Sequence, residues 1–394
     1  MRILLINHFP LQGSGSGIYT LNIALELVEK GHQVFVIDID NQIEHKKYGF
    51  ARRTILCDET KNDNADIPFN FPCFTTHPRS NNTYYKLSSE QIDKYISVFT
   101  QITNRIVKDF KPNIIHAQHI WITPYVAAKT NIPYVITAHG TDLMGFKKDD
   151  RYHKYALTGA RKAKKIITIS QQVHEESLKL LKIKENKLEL IPNGFDENIF
   201  NIKDIEKSEL KAEFDIDQNI EYVVSFVGKF TNFKGIDLLI KAAAIVNKTI
   251  PDVVFALAGH GELMTEMKEL QKRLGLDNIL FLGQITQKEV AKLYNLADIS
   301  VVPSRVEPFG LVAIEALACG TPVVASNAGG LPDFINDKVG KLVEMDNVEA
   351  LAQGMIDELQ TNAKAKKGEY CAEYALKNYS WKKGLEKVIE IYKE

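Results

Sequence analysis

Short apolar runs alternate with longer stretches whose apolar residues recur at helical spacing, and this rhythm holds along most of the chain. Arg2 to Asn7 predicts a buried strand. A loop with three glycines follows, Gly13-Ser14-Gly15-Ser16-Gly17, and then an amphipathic run from Tyr19 to Glu29 that Gly31 stops. Gln33 to Ile39 predicts the next strand, which completes a βαβ unit of a parallel sheet. Residues 41 to 90 lack a long period and predict an insertion. The alternation resumes with a helix over Ile92 to Phe110, strands over Ile114 to Ala117, Tyr134 to Ala138 and Lys165 to Ser170, a helix over Gln171 to Lys182, and a strand over Leu188 to Ile191. Residues 196 to 221 are polar and predict a linker. A second series then runs through strands at Tyr222 to Val227, Val253 to Ala258, Ile279 to Leu282, Ile299 to Val302 and Val323 to Ala325. Helical runs lie between them, and a last amphipathic helix covers Trp381 to Tyr392.

The predicted class is therefore α/β, with two doubly wound nucleotide-fold domains facing a central cleft. Expected limits are 1–200 for an N-terminal domain, 201–375 for a C-terminal domain and 376–394 for a terminal helix. The length of 394 residues is too great for one ordinary core and suits two. A formal net charge of -1 gives no global attraction to nucleic acid, so no nucleic-acid partner is expected. No run reaches the roughly 18 apolar residues of a membrane span, and the best stretch, Gly310 to Ala325, carries Glu315 and Pro322. Ile3 to Ile6 is too short for a signal-peptide core. A cytoplasmic location is expected, with peripheral contact to the inner face of the membrane left open, since a surface patch of lysines escapes these tests. Cys57, Cys73, Cys319 and Cys371 form no CxxC pair and predict free thiols.

Ligands of open parallel sheets sit beyond the carboxyl ends of the strands, and the residues with chemistry to offer fall there. Lys229 and Lys234 follow the strand Tyr222 to Val227 beside glycines, an arrangement that suits a diphosphate. The spacing is not that of a Walker A loop. In Glu307-Pro308-Phe309-Gly310-Leu311-Val312-Ala313-Ile314-Glu315, Glu307 precedes a helix that Gly310 and Leu311 open, and Glu315 lies within it among apolar residues. A carboxylate in such a helix needs hydrogen-bond donors, which a ribose diol provides. The helix start offers N–H groups to a phosphate. His139 opens the turn His139-Gly140-Thr141-Asp142 after a strand, where it can meet a sugar hydroxyl. The glycines at 13, 15 and 17 allow close backbone approach, but the dinucleotide fingerprint fails because Ile18 stands where its last glycine belongs. Asp38-Ile39-Asp40 is a D-x-D better read as local structure, and His116 and His119 lack a third metal ligand at matched spacing. No metal and no resident cofactor are expected.

These segments resemble the retaining glycosyltransferases of the two-domain B fold, in the group called family 4. EPFGLVAIE, Glu307 to Glu315, is similar to the family's E-x7-E motif. Gly320 to Ala325 and Gly329-Gly330-Leu331-Pro332 are similar to the segment after it. Lys234-Gly235 matches the family's lysine-glycine, while Lys229 stands where most members have arginine, which keeps the charge but loses the bidentate fork. Gly13 to Gly17, His139 to Asp142, Pro192-Asn193-Gly194 with Asp196, and Tyr379-Ser380-Trp381 extend the resemblance over nearly the whole chain. The resemblance implies that Lys229 and Lys234 hold the donor diphosphate and Glu315 the ribose. It implies that Glu307 meets sugar hydroxyls near carbon 3 and His139 the sugar near carbon 6. The N–H groups of Phe309, Gly310 and Leu311 would serve sugar and phosphate, Gly15 to Gly17 would approach the phosphate, and Ile285 with its neighbours would hold the base. It further implies retention at the anomeric carbon and a crossing over of the terminal helix.

The expected activity is transfer of a sugar from a nucleotide-sugar donor, with uracil the expected base on family frequency. The acceptor stays unidentified among glycans, lipids, sugar phosphates and small metabolites. A B-fold epimerase or phosphorylase, or a non-catalytic nucleotide-sugar binding module, are the alternatives. The module would tolerate loss of the lysines, and both are present.

Overall fold

The structure, a computed structural model, describes residues 1–44, 46–60, 65–75 and 77–394. Two compact units are present. Met1–Pro192 and Leu385–Glu394 make up the first, and Asn193–Gly384 the second.

In the first unit the chain runs β1 (Arg2–Ile6), α1 (Gly15–Glu29), β2 (Gln33–Asp40), β3 (Ala51–Leu56), α2 (Ser89–Phe110), β4 (Ile114–Gln118) and α3 (Ile122–Ala127). It continues through β5 (Tyr134–Ala138), α4 (Thr141–Lys148), α5 (His153–Lys162), β6 (Lys165–Thr168), α6 (Gln171–Leu181) and β7 (Leu188–Leu190). The sheet order is β3-β2-β1-β4-β5-β6-β7, and every pair is parallel. β4 and β5 are buried along their whole length, His116, Gln118 and Thr137 included, because helices cover both faces of a doubly wound sheet.

The second unit has α7 (Lys207–Glu213), β8 (Tyr222–Val227), α8 (Ile236–Thr249), β9 (Val253–Ala258), α9 (Met264–Arg273), β10 (Ile279–Gly283) and α10 (Gln287–Leu296). Then come β11 (Ile299–Val302), α11 (Leu311–Ala318), β12 (Val323–Ser326), β13 (Gly340–Val343), α12 (Val348–Gln360), α13 (Ala363–Tyr379) and α14 (Trp381–Lys393). Its sheet order is β10-β9-β8-β11-β12-β13, again all parallel. One side of the sheet packs on α8, α9 and α12 through Leu239, Ile240, Val246, Met267 and Met355, and the other on α7 and α10 through Leu210, Leu293 and Leu296. The last residues of α14 belong to the first unit, where the Tyr392 hydroxyl lies 2.7 Å from Nδ1 of the buried His116.

The structure departs from the hydrophobic pattern in three places. Residues 41 to 90 hold a strand, β3, which pairs with β2 from Phe35↔Ala51 to Asp40↔Leu56. Its Arg52 and Arg53 hide the strand period, and Arg52 is tolerated because it forks onto Asp38 at 2.6 and 3.0 Å. Helix α1 starts at Gly15, ahead of the predicted Tyr19, because the Ser14 hydroxyl caps the Gly17 N–H at 3.0 Å. The predicted linker contains α7. Among the described residues no helix is long and apolar enough to cross a membrane.

Candidate functional site

In each sheet one pair of neighbouring strands marks the place where the winding reverses: β1 and β4 in the first, β8 and β11 in the second. Loops leaving such a pair diverge to opposite faces, and the crevice between them is the ordinary ligand position of an open α/β sheet. Most of the sequence-predicted residues follow these strands, while His139 follows β5 and Ile285 follows β10.

In the second unit, β8 delivers Lys229 and Lys234, and β11 delivers Glu307. The two loops touch. Gly235 has φ 64°, and a Cβ there would lie 1.9 Å from the Pro303 carbonyl oxygen, so no other residue fits without separating them. Across this contact Lys234 Nζ donates to Glu307 Oε2 at 2.6 Å, and the Ser304 hydroxyl donates to the same oxygen at 3.0 Å. The Glu307 side chain is 8% exposed, and the lysine supplies the charge that its burial demands. One donor of the ammonium is engaged there, which leaves two of its three for further acceptors. Lys229 is exposed at the mouth of the loop.

Arg305 ties the two loops together more firmly. Its guanidinium donates to the Asn232 carbonyl at 2.9 Å and forks onto Asp237, at the start of α8, at 2.8 and 3.0 Å. Nε donates to Asp346, and the Arg305 N–H donates to the Phe233 carbonyl at 2.8 Å. Neighbouring carboxylates, Asp237 first, push its pKa up and keep it charged. Neither Ser304 nor Arg305 stood out in the sequence.

Beyond Glu307 the chain turns into α11. Gly310 caps it at φ 106°, and a Cβ there would meet Leu331 at 2.7 Å. Phe309 is buried. Helical hydrogen bonding begins with the N–H groups of Ala313 and Ile314, which both donate to the Gly310 carbonyl. The N–H groups of Leu311 and Val312, in the first turn, precede any i−4 acceptor of the helix. Glu315 lies one turn further along. Burial pushes its carboxyl up to about 8, so in the ligand-free protein it holds a proton at neutral pH. Ile285 sits after β10, half-buried against the α7–α10 side of the core, just before the capping box that Thr286 and Glu289 form at the start of α10.

The first unit brings different groups to its strand ends. Gly15 and Gly17 lie in the first turn of α1. Gly15 is open, since a Cβ there would find nothing within 4 Å, whereas a Cβ on Gly17 would fall 2.0 Å from the Pro10 carbonyl. The Gly17 N–H is already taken by Ser14, so of the two only Gly15 presents an unobstructed backbone. His139 follows β5. Its Nε2 lies 2.9 Å from Gln118 Oε1 at the end of β4. Its ring packs against His119, with centroids 4.6 Å apart, and edge-on to Tyr19 at 5.1 Å. Burial, with a smaller contribution from His116, pulls its pKa down to about 3. Asp142, in the first turn of α4, is fully buried. Its Oδ2 accepts the Ile120 N–H at 2.6 Å, and burial raises its pKa to about 6. Asp38 is held by Arg52 and Thr54, and Asp40 by Arg79 and the Asn41 N–H, so the D-x-D serves the first sheet. Among the described residues no group of three or more His, Cys, Asp or Glu is placed to hold a metal ion.

Two parallel α/β units, each with its candidate residues at strand ends, fit the B fold. Residues 13–198 match the family "Glycosyltransferase Family 4", and residues 207–378 match "Glycosyl transferases group 1". An uncharacterised glycosyltransferase of Methanocaldococcus jannaschii is 31% identical over 304 residues, which cover 75% of this chain and 79% of that protein. The chain belongs to the glycosyltransferases of this B-fold group, related to family 4. It is also similar to the D-inositol 3-phosphate glycosyltransferase of Mycobacteroides abscessus, at 28% identity over 99% of this chain and 88% of that one. Among solved structures it resembles sucrose-phosphate synthase from Thermosynechococcus elongatus, with TM-score 0.79, 25% identity and coverage of 100% and 98% of the two chains. It shares its fold with Anabaena HepE, solved in complex with UDP-glucose, with TM-score 0.76, 20% identity and coverage of 99% and 98%.

Proposed function

We propose that this glycosyltransferase takes a hexose from a UDP-linked donor and passes it to a hydroxyl acceptor with retention at the anomeric carbon. The observation that carries the reading is the Lys234–Glu307 contact at the β8–β11 switch, beside the start of α11. A cation, a carboxylate and unspent N–H groups meet there, and a diphosphate bonded to a sugar needs each of them. The uracil carrier follows the relative solved with UDP-glucose.

In this reading Lys229 and Lys234 neutralise the donor diphosphate, and the first turn of α11 adds its N–H groups and the positive end of its dipole. Glu307 accepts from sugar hydroxyls while it keeps Lys234 in place. Glu315 accepts from the ribose diol, and Ile285 flanks the base. From the first unit, His139 meets the sugar and Gly15 gives the phosphate a close backbone. Departure of the diphosphate builds negative charge on its leaving oxygen. The two lysines and the helix start stabilise that charge more in the transition state than in the ground state, which is what accelerates the reaction.

Retention without a covalent intermediate suits this set of groups. A double displacement needs a carboxylate free to reach carbon 1 from the opposite face. Asp142 is the nearest candidate in its loop, but it is fully buried and bonded to the Ile120 N–H. Attack from the face that the diphosphate leaves requires no such residue, because the departing phosphate takes the acceptor's proton. The experiment is a donor panel against cell-extract acceptors read by mass spectrometry, with NMR of the first-formed product. A UDP-hexose and a retained anomer are expected. An inverted product, or a sugar adduct on Asp142 formed and consumed at the turnover rate, would overturn the mechanism.

A further inference from the structure

Side chains alternate between the two faces of the second sheet. The side towards α7 and α10 takes Val223 and Val227 from β8, Ala256 and Ala258 from β9, and Leu282 and Ile285 from β10 and the residues after it. Phe226 and Leu257 take the other side. The β8–β9 ladder does not end with its last strand pair, Val227↔Ala258. The Gly228 N–H donates to the Ala258 carbonyl and the Phe230 N–H to the His260 carbonyl, each at 3.0 Å. Lys229 and His260 are therefore partners at one register, and the alternation carries both onward along the α7–α10 side.

Two glycines make this close approach possible. A Cβ on Gly259 would fall 1.8 Å from the Gly228 carbonyl oxygen, and one on Gly261 would fall 2.4 Å from the Phe230 carbonyl oxygen. On the other side the Gly259 N–H donates to the Gly283 carbonyl at 2.7 Å, which ties the end of β9 to the end of β10. The chain then turns away, with the Met264 N–H donating to the Gly261 carbonyl at 3.1 Å. Between the two glycines the His260 side chain is exposed, and among the described residues its ring has no hydrogen-bond, ion-pair or ring partner. The fold fixes the backbone at position 260 and leaves the ring uncommitted.

In sheet order β10, β9 and β8 are neighbours, so three consecutive strand ends present Ile285, His260 and Lys229 along one side of the sheet. Neighbouring strands lie about 4.8 Å apart, which sets roughly 10 Å between the first end and the third. We propose that His260 is a further donor-binding residue, whose ring N–H donates to the α-phosphate, the phosphate joined to the ribose. The inference rests on the reading that Ile285 flanks the base and that Lys229 and Lys234 hold the diphosphate. A nucleoside diphosphate laid from Ile285 to Lys229 has to cross the end of β9, and the part that crosses there joins ribose to phosphate. An imidazole carries at least one N–H in either of its ordinary protonation states, so the contact needs no titration. Lys229 presents a compact charge rather than a fork, and a donor at the same register on the next strand supplies a second point of attachment.

The test measures the affinity of the full chain for uridine, UMP and UDP, by calorimetry and, for uridine, by ligand-observed NMR. Because His260 is exposed, its variants should melt as the wild type does. His260→Ala should weaken UMP and UDP about tenfold, the scale of one hydrogen bond to a charged group, and leave uridine unchanged. His260→Gln keeps an N–H and should recover part of the loss, whereas His260→Phe keeps a ring without one and should not. An equal loss for uridine, or full affinity in His260→Phe, would put the ring on the base. Unaltered affinity of His260→Ala for UMP and UDP would take it off the nucleotide. Each of these results overturns the proposal. The Lys229→Ala, Lys234→Ala double variant separates it from the reading beneath it, since that variant should lose most of the affinity gained from UMP to UDP. If the gain survives there, the diphosphate lies elsewhere, and reading and proposal fall together. If the gain is lost while His260→Ala binds as the wild type does, the proposal alone falls.

Discussion

The two sheets share a topology but equip their strand ends with opposite chemistry. At the β8–β11 switch the groups are ionic and paired: Lys234 with Glu307, and Arg305 with Asp237 and Asp346. At the ends of β1, β4 and β5, apart from the buried Asp142, they are uncharged. His8, His116, His119 and His139 are all kept neutral by burial, and Gln118, Thr137, Tyr19 and Tyr392 surround them. The difference follows from what each place must tolerate. A half-buried cation can wait for an anionic ligand if a carboxylate shares its charge. A fully buried imidazole sheds its proton and becomes a directional acceptor or donor. A charged site recognises a diphosphate through field strength, whereas a neutral site recognises hydroxyls through geometry.

The largest effect should come from removing the cations. Lys234→Ala and Lys229→Ala should each lower kcat by about 10²-fold or more, the scale for one electrostatic contact to developing charge. Near-normal turnover in the double variant would show that the ionic end is not where the chemistry happens. Loosening the brace should cost less. Arg305→Lys keeps the charge but gives up the fork onto Asp237 and the bond to the Asn232 carbonyl, so affinity for UDP should fall about tenfold. Calorimetry that finds unchanged UDP affinity would assign Arg305 to stability alone.

The contrast should also be visible in pH dependence. Glu315 ionises near 8 in the folded chain against an ordinary value of 4.5. The folded state therefore holds a proton that the unfolded state releases, and stability should decline as pH rises from about 4.5 toward 8. Glu315→Gln should flatten that slope in thermal melts. A ribose diol wants the ionised form, so UDP binding at pH 7 should release a fraction of a proton. Calorimetry in buffers of different ionisation enthalpy reads this directly, and no release would remove Glu315 from the ribose. The smallest expected effect is that of chelation. Activity should persist in excess EDTA, and a loss restored by Mg²⁺ or Mn²⁺ would return Asp38 and Asp40 to consideration.

Much of the ionic end was legible in the sequence because it follows strands with buried, mostly apolar centres. Val223 to Phe226 and Ile299 to Val302 read as apolar runs, and the lysines and Glu307 come directly after them. What braces that end was not legible. Arg305 works through Asp237 and Asp346, which lie 68 and 41 positions away, and no local pattern marks such a pairing. The neutral end was harder still. His139 was singled out by its turn, but Gln118 lies 21 positions upstream as one polar residue at a strand terminus. β3 was obscured for a related reason, since the arginines that break its period are compensated by Asp38 and Asp66 from other segments.

The placement of the last ten residues bears on the order in which this molecule can be built. Leu385–Glu394 complete the first unit, yet they leave the ribosome after all of Asn193–Gly384. The N-terminal unit therefore emerges early with a seat for α14 that stays unfilled, and the His116–Tyr392 bond, which spans 276 positions, forms among its last contacts. Closing so long a loop carries an entropic cost that grows only slowly with length, but it is met only once the intervening unit is compact. The second unit, contiguous in sequence, can reach its native core without waiting for a segment from elsewhere, and in folding it brings the two ends of the first within reach of each other.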